Sequence, residues 1–302
     1  MALKQIKNKI VATLKTGKVT KAMEAVSAVK MRKSQQKAFV GRPYVRSAMR
    51  ILAQLSESQD GLSHPFAQKK VAGKVLVVLV TSDKGLAGSV NSAVLKKAED
   101  LFKQHSAVAV VCIGRKATEF AVRQKKEVIA SFTNVRDDVD LSDVYAMSSQ
   151  VLAQYAEGGY SHVYVLYQNF ISTLEQEPTQ RQILPLDPAE ISYIMHGIKP
   201  RQGKWSTADE KSDSVISYTI EPSVEVVLDT LIPQLVQIML YHALIESKAC
   251  EHSARMVAMK NATDKSKELA RSLTLIFNKK RQAAITAEVS EITGGMEAMK
   301  QK

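Results

Sequence analysis

Aromatic residues make up only 6% of this 302-residue chain, which has 13 glycines, eight prolines and one tryptophan. So few turn formers and ring side chains argue against a β-sandwich and for long helices. Two cysteines, Cys112 and Cys250, stand far apart in sequence. They form no CxxC pair and no disulfide framework, and both read as small buried or semi-buried residues in a reducing compartment. No uninterrupted run of about 18 apolar residues occurs, so no membrane span is expected. The opening MALKQIKNKIVATLK is basic and periodic, without the apolar core or cleavage site of a secretory signal. It also lacks the arginine and serine of an organellar transit peptide. Catalytic signatures are missing too. There is no GxxxxGK[ST], no GxGxxG after the first strand, no HExxH and no paired-cysteine metal motif. His162, His196, His242 and His252 are scattered, and a lone helical His252 reads as a packing residue. No catalytic residue, cofactor or metal is expected.

What is present is a core-forming content of 45% hydrophobic residues and a net charge of +12. The charge is uneven. Residues 1–58 carry 13 Lys/Arg against two acids, residues 59–223 carry 18 against 19, and residues 224–302 carry 11 against nine. Nearly all the excess lies on the first segment, which suggests an acidic partner: nucleic acid, anionic lipid or an acidic protein surface.

The first segment reads as one long helix over roughly 3–57. Leu3, Ile6, Ile10 and Leu14 form an apolar stripe, resumed after Gly17 by Val19, Met23, Val26 and then Lys30 or Met31. Gly17 and the Gly41–Pro43 step are places where it can bend. From about residue 70 the pattern changes. KVLVVLV (74–80), AVAVVCI (107–113), EVIASF (127–132) and HVYVLYQNF (162–170) read as strands, with helices over 90–104, 114–124 and 139–157. Short apolar strands alternating with helices predict a mostly parallel sheet in an α/β, Rossmann-like domain. Residues 172–186 read as a hairpin arm with its turn near Glu177–Pro178, 199–214 as a polar loop, and VISYTI (215–220) as a returning strand. From Val224 helical periodicity runs almost to the end, with Pro233 near its start. Here His252, Met256, Met259 and Thr263 form one stripe, and Leu269, Leu273 and Ile276 continue it.

The expected organisation is therefore a shaft helix (1–58), an α/β globular domain (59–223) and a second shaft helix (224–302). Two amphipathic helices flanking one insert bury their stripes best as an antiparallel coiled coil. At about 1.5 Å per residue the helices span roughly 80 and 115 Å, so the second overhangs by about 23 residues. That overhang is 280–302. Its apolar positions Ile285, Val289, Ile292 and Met296 share one face, and from Gln282 to Met296 the only charges are Glu288 and Glu291. A single helix with an apolar face is unstable alone in water, so something outside the chain is expected to hold it.

Two features have competing readings. The basic first helix could grip nucleic acid, but its cations ring the helix and only Phe39 and Tyr44 are available there for stacking. A solvated coil face or a grip on acidic protein loops fits better. SDKGLAGS (82–89) sits where phosphate loops sit, yet its spacing matches no phosphate motif, and a structural or contact loop is the simpler reading. Met23, Met31, Met256 and Met259 read as seam residues of the coil, and their adaptable side chains also suit a surface that meets changing partners.

Four stretches together, KVTKAMEAVSAVKMRK (18–33), TSDKGLAGSVN (81–91), EHSARMVAMKNATD (251–264) and NKKRQAAITAEVSEITGG (278–295), resemble the gamma subunits of F-type ATP synthases. The resemblance covers the whole chain in order. It implies a rotor shaft of two coiled helices inside a ring of alpha and beta subunits, and a globular domain bound to the epsilon subunit and the membrane c-ring. It implies torque transmission in a proton-driven complex, with neither nucleotide nor nucleic acid bound to this chain. By position, it implies that Arg281 and Gln282 meet a catch loop of beta, with Thr286 and Glu288 beside them. Met23 and Arg255 match shaft positions near an acidic loop of beta, and Lys84 matches a basic contact of the globular domain. The low-charge tip (Ile285, Val289, Ile292, Met296) would turn in an apolar sleeve. The family's usual cysteine in the GLCGS loop is Ala87 here, and the dithiol insert of chloroplast forms is absent. The run ATDKSKEL is more basic than usual. A bacterial form, peripheral on the cytoplasmic face of the plasma membrane, is expected.

Overall fold

A computed structural model of the protein describes residues 3–40, 47, 65, 66, 68, 72–186, 221 and 223–300. The elements in chain order are α1 (Leu3–Val40), β1 (Lys74–Val80), α2 (Val90–Gln104), β2 (Val108–Ile113), α3 (Arg115–Arg123), β3 (Glu127–Phe132), α4 (Leu141–Ala156), β4 (Tyr160–Phe170), β5 (Gln176–Leu184) and α5 (Val224–Lys300). The expected helix over 41–57, the Gly41–Pro43 bend, the 199–214 loop, the strand at 215–220 and the boundary at 58 lie outside the described residues. By contact density the chain parts into two compact units. One comprises Met1–Val26 with Met256–Lys302, and the other Ser27–Arg255.

The second unit holds a five-stranded sheet in the order β3-β2-β1-β4-β5. The first four strands are parallel, and β5 pairs antiparallel to β4 at the edge. This is the order of a doubly wound, Rossmann-like sheet. The inner strands β1, β2 and β4 are largely apolar and buried because both of their faces are covered, whereas the edge strands β3 and β5 are half-exposed. On one face Leu76, Val78, Val111 and Val165 meet α4 through Val144, Met147 and Val151, and α5 through Leu235, Met239 and Leu244. On the other, Val75, Val77, Val110 and Cys112 meet Val94, Ala98 and Leu101 of α2 and Ala117 and Phe120 of α3. Cys112 and Cys250 are both buried and free, and burial pushes the Cys112 thiol up to about 11.

One expectation needs correction here. The turn before β5 is not at Glu177–Pro178. It closes over Ser172–Glu175, where the two residues exchange backbone hydrogen bonds of 2.9 and 3.3 Å. Pro178 lies within β5 opposite Gln168, and an edge strand tolerates a residue without an N–H. By length and composition alone α5 would pass as a membrane span, with a mean hydropathy of 1.4 over an 18-residue stretch. Asp229, Pro233 and Gln234 interrupt the apolar run, which hides it from a count of consecutive residues. The apolar side of its first part, Leu228, Ile232, Leu235, Val236 and Leu240, is buried in the protein core.

In the first unit α1 and α5 run antiparallel. Thr20 Oγ1 lies 2.7 Å from Thr263 Oγ1, and a methyl group at Gly17 would lie 3.3 Å from Ser266 Cβ. Three residues down α1 is thus three residues up α5. Continued at that register, Ile6 faces Phe277 and Leu3 faces Lys280. The seam itself differs from the expected apolar stripe. Leu14, Val19 and Val26 are 48%, 59% and 53% exposed. The least exposed line on α1 runs instead through Leu3, Ile6, Ile10, Thr13, Gly17, Thr20, Glu24, Ser27, Met31, Ser34 and Ala38. Its steps alternate between three and four residues, a heptad line. On α5 the matching line is His252, Met256, Met259, Thr263, Ser266, Ala270, Leu273 and Phe277, while Leu269 and Ile276 face outward. Thr, Ser, Gly and Ala occupy the middle of this seam because the two backbones approach closely there. A stripe read by hydrophobicity alone passes over such residues.

Candidate partner-contact surfaces

The register leaves α5 without an α1 partner beyond Lys280. Among the described side chains from Thr274 to Met299 none is buried. Ile285, Val289, Ile292 and Met296 are 52%, 56%, 66% and 57% exposed on one helix face. Arg281, Gln282 and Glu288 are exposed as well. The Thr286 hydroxyl donates to the Gln282 carbonyl at 3.0 Å, so it is satisfied within its own helix. Methyl groups added at Gly294 and Gly295 would meet nothing within 4 Å, so nothing in this chain requires glycine there. The helix tip offers a narrow apolar face with little charge around it.

A second surface lies at the carboxyl end of the sheet. In doubly wound sheets a nucleotide sits in the crevice between the strands that flank the change of winding, here β1 and β4. In this protein α5 occupies that ground. Cys250 Sγ donates to Gln168 O at 3.3 Å, Ser253 Oγ to Thr173 O at 2.7 Å, and Arg255 Nη2 to Gly85 O at 3.1 Å. A methyl group at Gly88 would lie 4.0 Å from Ala254 Cβ. The 82–89 loop is thus a platform for a helix. Asn91 Nδ2 donates to Ser82 Oγ at 2.7 Å, and Asp83 accepts the Arg115 N–H at the start of α3 at 2.9 Å. Lys84 stands exposed on this loop. Arg255 is buried and committed internally, since its guanidinium also donates to Glu251 Oε1 at 2.7 Å. It meets the loop that carries Lys84, whereas Met23, partly buried on α1, and Arg281, Gln282, Thr286 and Glu288 belong to the other compact unit.

The sequence reading misses one cluster. The segment Arg136–Asp140 between β3 and α4 is acidic and tied to both long helices. Lys30 Nζ of α1 donates to Asp137 Oδ2 at 2.6 Å. Lys37 Nζ reaches Asp138 at 2.6 Å, Asp140 at 2.7 Å and the Val139 carbonyl at 2.9 Å. From α5, His252 Nε2 lies 3.3 Å and Lys248 Nζ 3.7 Å from Asp137 Oδ1, and Lys248 donates to Val135 O at 3.1 Å. His252 is a packing residue as expected, and its ring also lies beside the Asp137 carboxylate. The His252 imidazole, with Lys30 and Lys248, holds the Asp137 carboxyl well below the usual carboxylate range, against the opposing effect of partial burial. The sequence signal was the run RDDVD itself.

Known proteins agree with this geometry. The chain matches the protein family described as ATP synthase over residues 2–299. It is 38% identical to the ATP synthase gamma chain of Roseiflexus castenholzii over 303 residues, covering 98% of each chain. The ATP synthase gamma chain of Heliobacterium modesticaldum is 36% identical over 297 residues, covering 98% of this chain and 99% of that one. The chain belongs to the ATP synthase gamma-chain family. Among solved structures, a chain from the central stalk and c-ring of Tetrahymena thermophila mitochondrial ATP synthase superposes with a TM-score of 0.59 at 26% identity. That match covers 81% of this chain and 99% of that one. A chain from the rotor of Euglena gracilis mitochondrial ATP synthase, at 14% identity, shares the fold with a TM-score of 0.63 over 94% of this chain and 98% of that one. Membership in this family makes the chain a central-stalk subunit of a rotary ATP synthase.

Proposed function

We propose that this chain is the rotating shaft of a bacterial ATP synthase, carrying torque between a proton-driven c-ring and a catalytic hexamer of alpha and beta subunits. The observation that carries this reading is the unpartnered α5 tip, whose exposed Ile285, Val289, Ile292 and Met296 have no α1 residues opposite them at the coil register. An apolar face with few charges suits a sleeve in which a shaft must turn, because no strong ion pair has to break at each step. Arg281, Gln282, Thr286 and Glu288 meet beta subunits at the base of that tip. Met23 serves the same contact lower on the coil. Lys84 is presented to a partner by the 82–89 loop, and Arg255 acts by fixing that loop through Gly85. The globular unit binds epsilon and the c-ring on the cytoplasmic face of the membrane. The chain performs no chemistry, and α5 fills the ground where a nucleotide would lie. Nucleic-acid binding gains no support, since Lys30 and Lys37 of the basic helix are answered by the chain's own aspartates.

The test is reconstitution. Cognate alpha and beta subunits are assayed for ATP hydrolysis alone, with the full chain, and with a version ending at Lys280. The full chain is expected to assemble and support steady turnover, and the shortened one to assemble weakly. A chain that neither joins the hexamer nor changes its ATPase overturns the reading.

A further inference from the structure

We infer that the acidic segment Arg136–Asp140 is the joint through which torque passes between the sheet and the two long helices, with Asp137 as its central positioning residue. The inference rests on the shaft reading above. Among the described residues, the sheet layer meets α1 and α5 through noncovalent contacts, which include the bonds of Cys250, Ser253 and Arg255 to Gln168, Thr173 and Gly85. Apolar packing of Leu235, Met239 and Leu244 against the sheet resists separation, but it is non-directional and resists sliding weakly. Charged hydrogen bonds are directional.

The 136–140 segment gathers charged hydrogen bonds from α1 and close ion pairs from α5 onto one short stretch, and Lys248 of α5 donates to the Val135 carbonyl just before it. Asp137 accepts a hydrogen bond from Lys30 of α1 on Oδ2, and its Oδ1 lies 3.3 Å from His252 Nε2 and 3.7 Å from Lys248 Nζ of α5. Two residues on, the Val139 carbonyl and Asp140 take Lys37. The segment is anchored to the α/β layer at its far end. Asp140 and Asp143 form a capping box at the start of α4, and Arg136 Nη2 reaches both Asp143 oxygens at 2.9 Å. Gln237 of α5 donates to the Leu141 carbonyl beside it at 2.8 Å. One carboxylate thus ties two helices together and ties both to a capped, rigid element. Lys248 and Glu251 extend the network along α5, with 3.7 Å between them, and Glu251 passes it to Arg255.

The experiment uses the assembled hexamer with this chain, held by its alpha and beta subunits. A bead is attached at Lys96→Cys on α2, since both native cysteines are buried. The angular spread of the bead during the pause between steps reports torsional stiffness. Asp137→Asn keeps the side-chain size and removes the charge. It is expected to widen that spread and to lower protons pumped per ATP in the complete membrane complex, while ATP hydrolysis by the hexamer stays at the wild-type rate. Asp137→Glu is expected to recover part of the stiffness. A residue that only stabilises the fold would lower the unfolding midpoint and leave the spread unchanged, and that result overturns the inference. If the Asp137→Asn chain does not assemble, Lys30→Gln is the second variant, and an unchanged spread there overturns it equally. A wild-type chain whose bead does not turn would instead count against the shaft reading.

Discussion

The Thr20–Thr263 contact allows a quantitative test of the coil register. Three short distances meet there: Thr263 Oγ1 to Met259 O at 2.8 Å, Thr20 Oγ1 to Thr263 Oγ1 at 2.7 Å, and Thr20 Oγ1 to Gly17 O at 3.1 Å. Two hydroxyls supply two protons. The shortest pair of bonds has Thr263 donating to Met259 and Thr20 donating across to Thr263. Both residues are buried. Thr20→Val removes the interhelical bond, and Thr263→Val removes its acceptor, at a cost of about 1 kcal/mol each. The double variant puts two methyl groups face to face in a dry seam, where replacing both partners is close to neutral. The two single losses therefore do not add, and the coupling is about 2 kcal/mol. Hydrogen exchange of amides within 17–23 and 260–266 in the full chain reads it out. Each single variant should exchange about fivefold faster there, and the double variant at nearly the wild-type rate. Additive effects, or single variants that exchange like the wild type, would refute this register.

Other consequences follow from the same structure. Gly114 has φ +94°, and a methyl group there would lie 2.2 Å from Thr81 O, so Gly114→Ala should lower the melting temperature by on the order of 10 °C, measured by calorimetry. Asp137 has a folded pKa below its ordinary 3.8, so its stabilisation is complete well above 3.8 and is lost progressively as pH falls below it towards the folded value. Urea midpoints should fall on acidification from about pH 5 to pH 3, less steeply in Asp137→Asn. The slope should not vanish there, because Asp138 and Asp143 are also held low by Lys37 and by the α4 cap with Arg136. Val289→Asp and Ile292→Asp should leave the free chain's melting unchanged, since both sites are exposed. Each should weaken binding to the hexamer about tenfold by titration, consistent with roughly 1–2 kcal/mol of apolar burial at each site.

Much of the fold is legible in the sequence, for identifiable physical reasons. KVLVVLV reads as a strand over the residues where β1 forms, because a strand covered on both faces has no polar alternation to confuse it, and EVIASF marks the edge strand β3 by its β-branched and aromatic residues. Pro178 misled the reading of the hairpin, because its cost in a strand depends on whether that strand is an edge, which only the assembled sheet decides. The α1 seam was misread because small and polar residues such as Gly17 and Thr20 sit in it, and each faces a residue more than 200 positions away in sequence. The Asp137 joint was invisible for the same reason. RDDVD reads as a solvated run until Lys30, 107 residues earlier, and His252 are seen beside it.

The most direct test of the central claim is to watch the chain turn. The hexamer of cognate alpha and beta subunits is fixed to a surface, and a bead is coupled to this chain at Lys96→Cys. On adding ATP the account predicts sustained rotation in one direction, stopped by ATP removal and lost when the chain ends at Lys280. ATP hydrolysis that continues while the bead stays still or wanders without direction would contradict it.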